Sequence, residues 1–484
     1  MSMLPDVASE ALDYNNIKRR AMASRSYRVR IAPSNKTAFS PGETVYLDLP
    51  SNLSGTFMDM TQTYIRMKVV YSNSGGTDAK VALDKAGAYS MWQRVAALTS
   101  GQQIYDLNNF NVLASAFMDS DASNDWKANA GNVLCGTTAA CPHGETFTVG
   151  AGGSVTRTYC LPFILNPFAL QKKLVPLFSL DSLRWRITLE TAANALICAG
   201  TLATINVNYS ISEIEMVSYF TELSPSAMAQ LDSITGGVYN LLCPSYSNTQ
   251  ASMLAANTTI NSVLGIAVSS LERIIVIHRP TDANISTAAS LGCHITNGVQ
   301  TAQFFINSEA YPQRNIIIED MGAEPLAEFL IADHALSDFS RASNLQNFNV
   351  SNTSVVNSNI FDSFLYNNTN AGVAGATVFG ATYNAWNNNG NGGEIGLGTA
   401  TGAASWTRTT VGSFILAIEL ETGCSAGRSD RLYSGISTIS SVVQYKGTYA
   451  GTGTSQAATL DFFAQFTVLL TLNMRQTGVW SITI

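Results

Sequence analysis

Alternating apolar and polar residues mark the clearest strands of this chain. Residues 183–190 place leucine, tryptophan, isoleucine and leucine at every second position, with arginine, threonine and glutamate between them. Successive side chains of a strand point to opposite faces, so the pattern predicts a strand with Leu183, Trp185, Ile187 and Leu189 in a core. The same alternation occurs in 27–31, 45–49, 64–71 and 205–211.

Two departures from simple alternation are informative. The apolar parity shifts near Ser212, which predicts a β-bulge. Residues 161–178 carry bulky apolar side chains around Pro167 and Pro176. Because proline interrupts helices and central strands, the segment is predicted to be an ordered connection that leads into the strand of Trp185. Lys172 and Lys173 should be exposed on it.

A helix separates this strand series from a second one. Ser224 has the character of an N-cap, and Pro225 fits the first helical position, so residues 221–235 are predicted to form a linker helix. The second series comprises 238–242, 272–278, 301–306, 414–421, 441–445 and 460–472. A weaker helical spacing at residues 115–120 predicts a helix-bearing excursion that includes residues 88–105.

The pattern divides the chain into four parts. They are an N-terminal arm of residues 1–26, a first β-domain of 27–220, the linker helix of 221–235, and a second β-domain of 236–484. Residues 344–410 form an insertion in the second domain, with very few charges but many aromatic residues. Such a segment is too long for a plain loop and is predicted to pack against neighbouring copies.

Composition points to a protein that associates with itself. Only 13% of the residues are charged, so repulsion between copies is weak. The net charge of −7 argues against a broad nucleic-acid-binding face. The N-terminus lacks the pattern of a secretion signal, no apolar run reaches the ~20 residues of a membrane span, and seven scattered cysteines fit reduced thiols. We therefore expect folding in a cytoplasm or a nucleus.

Basic residues are concentrated near the N-terminus. Lys18, Arg19, Arg20 and Arg25 lie in one short segment, which continues to Lys36. One interpretation is an ordinary solvated arm. The other is an arm that contacts an acidic surface, either a genome or a membrane.

Candidate chemistry is sparse. Cys135, Cys141 and His143 are the densest group of soft ligands, but no second pair accompanies them, so ordinary thiols are favoured over a metal site. The chain has four histidines, and His278 ends an apolar strand, where a structural role is favoured over general-base catalysis. Nucleophile-elbow and phosphate-loop motifs are absent from the sequence, and residues 389–396 lack the lysine of a phosphate loop. We expect no catalytic residues, no cofactor and no metal.

Several segments, in their order along the chain, resemble the double-jelly-roll major capsid proteins of double-stranded DNA viruses, most closely those of virophages and polinton-like viruses. The segments are Tyr46-Leu-Asp-Leu, Gln62-Thr-Tyr-Ile-Arg-Met-Lys, Leu161-Pro-Phe-Ile through Leu189, Glu309-Ala-Tyr-Pro-Gln-Arg-Asn and Arg431-Leu-Tyr-Ser-Gly-Ile-Ser. The resemblance covers residues 27–484.

This resemblance implies an all-β chain of two tandem eight-stranded jelly rolls with short helices and long loop insertions. It further implies a homotrimer with a pseudo-hexagonal outline that tiles an icosahedral virion shell beside neighbouring capsomers, penton proteins and minor capsid proteins. Residues 344–410 would form an outward tower or a clamp between subunits. The arm with Lys18, Arg19, Arg20 and Arg25 would contact the inner face, where a membrane or the genome lies.

Two other classes of protein remain open. An extracellular β-sandwich adhesin or carbohydrate-binding protein should carry a secretion signal. A jelly-roll glycosidase needs two carboxylates that face each other in one concave face, whereas most acidic residues of this chain fall in predicted turns.

Overall fold

The computed structural model describes residues 24–483. The ranges left out within these bounds are 52, 100–101, 139–143, 172, 180–182, 199–206, 255–256, 282–290, 293, 319–321, 337–376, 379–380, 383–412, 422–434, 451–456 and 474–479. We call residues 24–223 the first half and residues 238–483 the second half.

The described residues of the first half form twelve strands. They are β1 (Ser24–Ile31), β2 (Thr44–Leu49), β3 (Thr56–Asn73), β4 (Ala79–Leu83), β5 (Trp92–Thr99), β6 (Gln102–Asn108), β7 (Thr146–Val149), β8 (Ser154–Pro162), β9 (Val175–Pro176), β10 (Leu183–Leu189), β11 (Leu196–Cys198) and β12 (Val207–Leu223).

Eleven more strands lie in the part of the second half that the structure describes. They are β13 (Val238–Met253), β14 (Thr259–Leu264), β15 (Leu271–Pro280), β16 (Val299–Ile306), β17 (Glu309–Ile317), β18 (Thr377–Val378), β19 (Ala381–Thr382), β20 (Leu416–Glu419), β21 (Val443–Tyr449), β22 (Ala458–Asn473) and β23 (Trp480–Thr483).

The helices in the described part of the chain are short. They are α1 (Phe110–Ser120), α2 (Asn124–Ala128), α3 (Ala130–Cys135), α4 (Pro167–Leu170), α5 (Ala192–Ala195), α6 (Pro225–Thr235) and α7 (Ala323–Ala332), with two 3₁₀ turns at Gly87–Met91 and Leu177–Ser179. None of the described helices combines the length and apolar character needed to cross a bilayer.

The strand order is the same in both halves. The main sheets of the first half run β1-β12-β3-β8 and β2-β10-β5-β6, and those of the second half run β13-β22-β15-β20 and β14-β21-β16-β17. If the eight main strands of each half are counted along the chain, both halves have the orders 1-8-3-6 and 2-7-4-5. Two four-stranded antiparallel sheets with these crossovers form a jelly roll, so the prediction of a double jelly roll is confirmed.

The strand of Trp185 occupies its predicted place. Leu183, Trp185, Ile187 and Leu189 are all buried on β10, the seventh main strand of the first half. The ring of Trp185 meets Phe163 edge-on, with 4.5 Å between the centroids. The bulge near Ser212 is also confirmed, because the register between β12 and β3 shifts between Ile211 and Glu213.

Two features at the helices follow from local chemistry. Ser224 caps α6 by accepting a hydrogen bond from the amide of Ala227, and Pro225 occupies its first turn, as predicted. The helix predicted from the spacing at residues 115–120 is confirmed, because these residues lie in α1. Residues 88–105, predicted to belong to the same excursion, instead form the end of a 3₁₀ turn, β5 and most of β6. Mixed burial on β5 hides its alternation, because side chains on both of its faces are buried.

The first described strand, β1, begins at Ser24, three residues before the predicted start of the first domain. The division at residues 26, 220 and 235 otherwise stays a prediction. Of the insertion 344–410, the structure describes only the two-residue strands β18 and β19, which pair with each other.

Candidate functional site at the seam between the two halves

Helix α1 joins the two halves. Every residue of α1 except Phe117 is buried, although the helix follows an outer strand of its sheet. A helix that is apolar on all sides must be covered on all sides. Part of this cover comes from the second half: the ring of Phe117 packs edge-on against Tyr246, and the guanidinium of Arg273 lies 5.7 Å from the Phe117 centroid. We call this contact between the halves the seam.

A second part of the seam is a buried polar network at the start of α1. The side-chain amide of Asn109 donates to Oδ1 of Asn248 at 3.0 Å and to Oδ1 of Asp461 at 3.1 Å. Asp461 is fully buried and also accepts from Gln250 at 2.7 Å and from Nε of Arg279 at 2.5 Å. These bonds compensate the removal of the carboxylate from water, so Asp461 anchors the first half to β22.

Buried lysines form a third part of the seam. Nζ of Lys85 lies 2.9 Å from Oδ2 of Asp119, at the end of α1, and 3.2 Å from Oγ of Ser413 in the second half. Nζ of Lys127 lies 3.9 Å from the same carboxylate, and burial lowers the pKa of Lys127. Oδ2 of Asp84 accepts from the amide of Gly292 at 2.8 Å, a further bond between the halves. The lysines inside this seam are thus paired with acceptors, and the aspartates are paired with donors.

The buried histidines have structural surroundings. Nε2 of His278 lies 2.9 Å from the hydroxyl of Tyr449, and Nε2 of His294 lies 3.1 Å from Oγ of Ser115 on α1. Burial lowers the pKa of His278 to about 3 and that of His294 well below its ordinary value. Both imidazoles are therefore neutral near pH 7, and neither is placed to exchange protons with solvent.

Acidic side chains meet a histidine where α7 and β20 end. Nε2 of His334 lies 3.3 Å from Oε2 of Glu419 and 3.6 Å from Oε2 of Glu421. Burial, with a smaller contribution from Glu421, raises the pKa of Glu419 to about 7. Beside them, Nη1 of Arg273 contacts Asp333 at 3.2 Å. Residue 334 lies far in sequence from residues 419 and 421, so no spacing motif could have shown this group.

The predicted cysteine and histidine cluster is described only in part. Cys135 is buried at the end of α3, where desolvation raises the pKa of its thiol to about 12. Such a thiol stays protonated near pH 7 and is a poor nucleophile and metal ligand. Cys141 and His143 lie outside the described residues.

The basic N-terminal residues separate into two groups. Lys18, Arg19 and Arg20 lie outside the described residues. Arg25 lies in β1, opposite Glu222 of β12, and its guanidinium lies 5.1 Å from the ring centroid of Tyr27. Arg25 is therefore part of a strand at the edge of a sheet rather than of a separate arm.

The connection before β10 lies next to the seam. Its side chains, together with α1, α2 and Tyr246, line an open and mainly apolar cavity of about 680 Å³. Lys173 is exposed, as predicted, and its Nζ lies 3.3 Å from the carbonyl of Asn240 on β13, while Lys172 lies outside the described residues. The connection therefore contacts both halves.

Apolar side chains are exposed near the same place. Leu242 of β13 lies directly across from Leu469 of β22, and the two are 46% and 36% exposed. Leu170 and Leu174, on the connection that reaches β13, are also exposed. Neighbouring exposed leucines mark a surface suited to a protein partner.

The double jelly roll can be compared with solved structures. The Faustovirus major capsid protein aligns over 96% of this chain and 92% of its own, with a TM-score of 0.56 and 9% identity. A chain of the Sputnik virophage structure aligns over 98% and 92%, with a TM-score of 0.54 and 14% identity. The mavirus major capsid protein aligns over 98% and 94%, with a TM-score of 0.51 and 10% identity.

These similarities define the fold along almost the full chain. The predicted resemblance to double-jelly-roll capsid proteins is confirmed at this level, and two of the three structures belong to virophages. No protein-family model matches the chain, and no curated protein does either.

Proposed function

We propose that this chain is a major capsid protein that forms the shell of an icosahedral virion. The observation that carries the proposal is the repeated strand order of the two halves, fixed to each other through a buried seam. Three copies of a rigid unit with two similar halves place six similar modules around one axis. Such a trimer has a pseudo-hexagonal outline and can tile a surface with neighbouring capsomers.

Two further observations support association between copies. The low charged fraction of 13% weakens repulsion, and Leu242 and Leu469 expose apolar surface on the second half. The chain acts in the virion as a structural protein and not as an enzyme. The structures that share its fold come from viral capsids, which favours this role over an adhesin or a carbohydrate-binding protein.

Mass photometry of the purified full chain tests the proposal. We expect a particle of three 51.7 kDa chains, which forms shells or sheets of hexagonal outline visible by negative-stain electron microscopy. A chain that stays monomeric at micromolar concentration contradicts the proposal.

We also propose that the N-terminal arm contacts the inner layer of the virion, a membrane or the genome, through Lys18, Arg19 and Arg20. Removal of residues 1–23 spares β1, which begins at Ser24. Trimers should persist after this truncation, whereas the yield of filled particles should fall. An unchanged particle yield after the truncation would contradict the role of the arm.

We further propose that penton and minor capsid proteins are partners of this chain in the virion.

A further inference from the structure

Three side-chain atoms that could bind a metal ion lie close together in the second half, beside the seam. Histidine, cysteine, aspartate and glutamate side chains can bind metal ions. Within the described ranges, one group of three has its ligand atoms all within 4.8 Å of one another, and its members are His334, Glu419 and Glu421. His334 follows α7, Glu419 ends β20, and Glu421 lies two residues further on. The fold therefore brings together an imidazole and two carboxylates from two connections.

The group is largely enclosed by protein. The side chains of Glu419 and Glu421 are each only 9% exposed, and that of His334 is 26% exposed. Oε1 of Glu419 accepts from the amides of Leu420 at 3.1 Å and Glu421 at 2.9 Å, which fixes the orientation of this carboxylate. Oε2 of Glu419 is buried, accepts no hydrogen bond and faces His334. A buried carboxylate oxygen that accepts no hydrogen bond keeps a lone pair with which a metal ion could be bound.

Charge at this place also favours a cation. Two acidic side chains meet one imidazole here, so acidic groups outnumber the basic group within the cluster. The neighbouring Arg273 directs Nη1 to the carbonyl of Ala332 at 3.1 Å and to Asp333 at 3.2 Å, where it balances a third carboxylate. A cation bound between the two carboxylates would compensate their removal from water.

We propose that His334, Glu419 and Glu421 bind a divalent transition-metal ion, and that this ion is Zn²⁺. Imidazole and carboxylate ligands lie about 2.0–2.2 Å from zinc, which places neighbouring ligand atoms of a tetrahedron roughly 3.3 Å apart. Nε2 of His334 lies 3.3 Å and 3.6 Å from the two carboxylate oxygens. Imidazole disfavours Ca²⁺ and Mg²⁺, which prefer oxygen ligands.

The ion has a structural role in this proposal. It ties the end of α7 to the end of β20, next to Arg273, which contacts α1 across the seam. The ion thereby stabilises the second half in the region that holds the first half. The inference does not depend on the capsid function, since it rests on side chains of one chain.

Zinc binding by the untagged full chain tests this inference. After chelation and dialysis, titration with ZnCl₂ should load one zinc per chain, measured by mass spectrometry of the metal. The variants are Glu421→Gln, which keeps the shape of the side chain, and His334→Asn, because asparagine tolerates the left-handed backbone of this residue, φ 53°. Each variant should lower zinc affinity more than about tenfold.

Controls separate this site from other zinc ligands. Glu328→Gln changes a carboxylate on α7 outside the group and should bind zinc like the unaltered chain. Co²⁺ in the unaltered chain should give a spectrum of nitrogen and oxygen ligands without a thiolate band, a readout that needs no variant. The inference is overturned if both site variants bind zinc as tightly as the unaltered chain does. A thiolate band in the Co²⁺ spectrum, or a site that binds Ca²⁺ and not Zn²⁺, would also overturn it.

Discussion

The sheet β1-β12-β3-β8 and the sheet β13-β22-β15-β20 have the same strand order but different surroundings on their outer faces. In the first half, Arg66 and Lys68 of β3 pair with Glu213 of β12 at 3.1 and 3.2 Å, on a face open to solvent. In the second half, Arg279 of β15 pairs with Asp461 of β22 on a face covered by the first half. The same two strands of the jelly roll thus carry an ion pair in both halves. The pair is exposed to solvent in the first half and buried in the second half.

This difference shows how a repeated fold becomes an asymmetric unit. The outer face of β3 keeps the alternation of a half-exposed strand, whereas β15 is buried almost continuously through Ile274, Ile275, Val276 and Ile277. Helix α1 packs against its own half through Phe110 and also lies against the outer face of β15, where α7 contacts Arg273. One sheet therefore serves the seam, and the equivalent sheet remains available to solvent or to another molecule.

The largest expected effect distinguishes the two ion pairs directly. Asp461→Asn leaves Arg279, which is 11% exposed, without its carboxylate, and should lower the free energy of unfolding by about 3–5 kcal/mol. Glu213→Gln, at the equivalent exposed place, should cost less than about 1 kcal/mol. Urea unfolding of both full-length variants measures the two effects. Similar costs for the two substitutions would show that the seam does not enclose Asp461.

Much of this architecture could be predicted from sequence, because alternating apolar and polar residues indicate a strand with one buried face and one exposed face. The strand of Trp185, the bulge after Ile211 and the cap at Ser224 were all visible as local patterns. The seam was not, since a continuous apolar run such as that of β15 shows that both faces are covered without showing by what. The group of His334, Glu419 and Glu421 escaped for a similar reason: the crossover between α7 and β20 brings them together, and no local spacing records it.

Acid should affect the second half more strongly than the first. His278 lies on the inner face of β15, while the inner positions of β3, such as Met67 and Val69, are apolar. An unfolded histidine binds a proton below pH ~6.5, whereas burial lowers the pKa of His278 to about 3 in the folded chain. The unfolded state therefore binds more protons between these values, and stability falls as the pH decreases. From pH 7 to pH 5 this loss is about 2 kcal/mol.

His278→Gln isolates this contribution, because glutamine can still bond to the hydroxyl of Tyr449 but does not titrate. The difference in unfolding free energy between the two proteins cancels the other titrating groups. Hydrogen exchange at stepwise lower pH should show β15 and β22 losing protection before β3 and β12. A constant difference between the two proteins from pH 7 to pH 5 would contradict the burial of this imidazole.

The smallest expected effect concerns salt. The pair of Arg66 and Glu213 is partly exposed, with side chains 28% and 48% accessible, so its coupling energy in a double-mutant cycle should stay below about 1 kcal/mol. In 1 M NaCl the Debye length falls to about 3 Å, and this coupling should decrease further. Arg279 and Asp461 are screened far less, because the first half excludes solvent from them. A coupling between Arg279 and Asp461 that falls with salt as steeply as that of Arg66 and Glu213 would mean that the seam opens in solution, and the two sheets would then differ in sequence but not in surroundings.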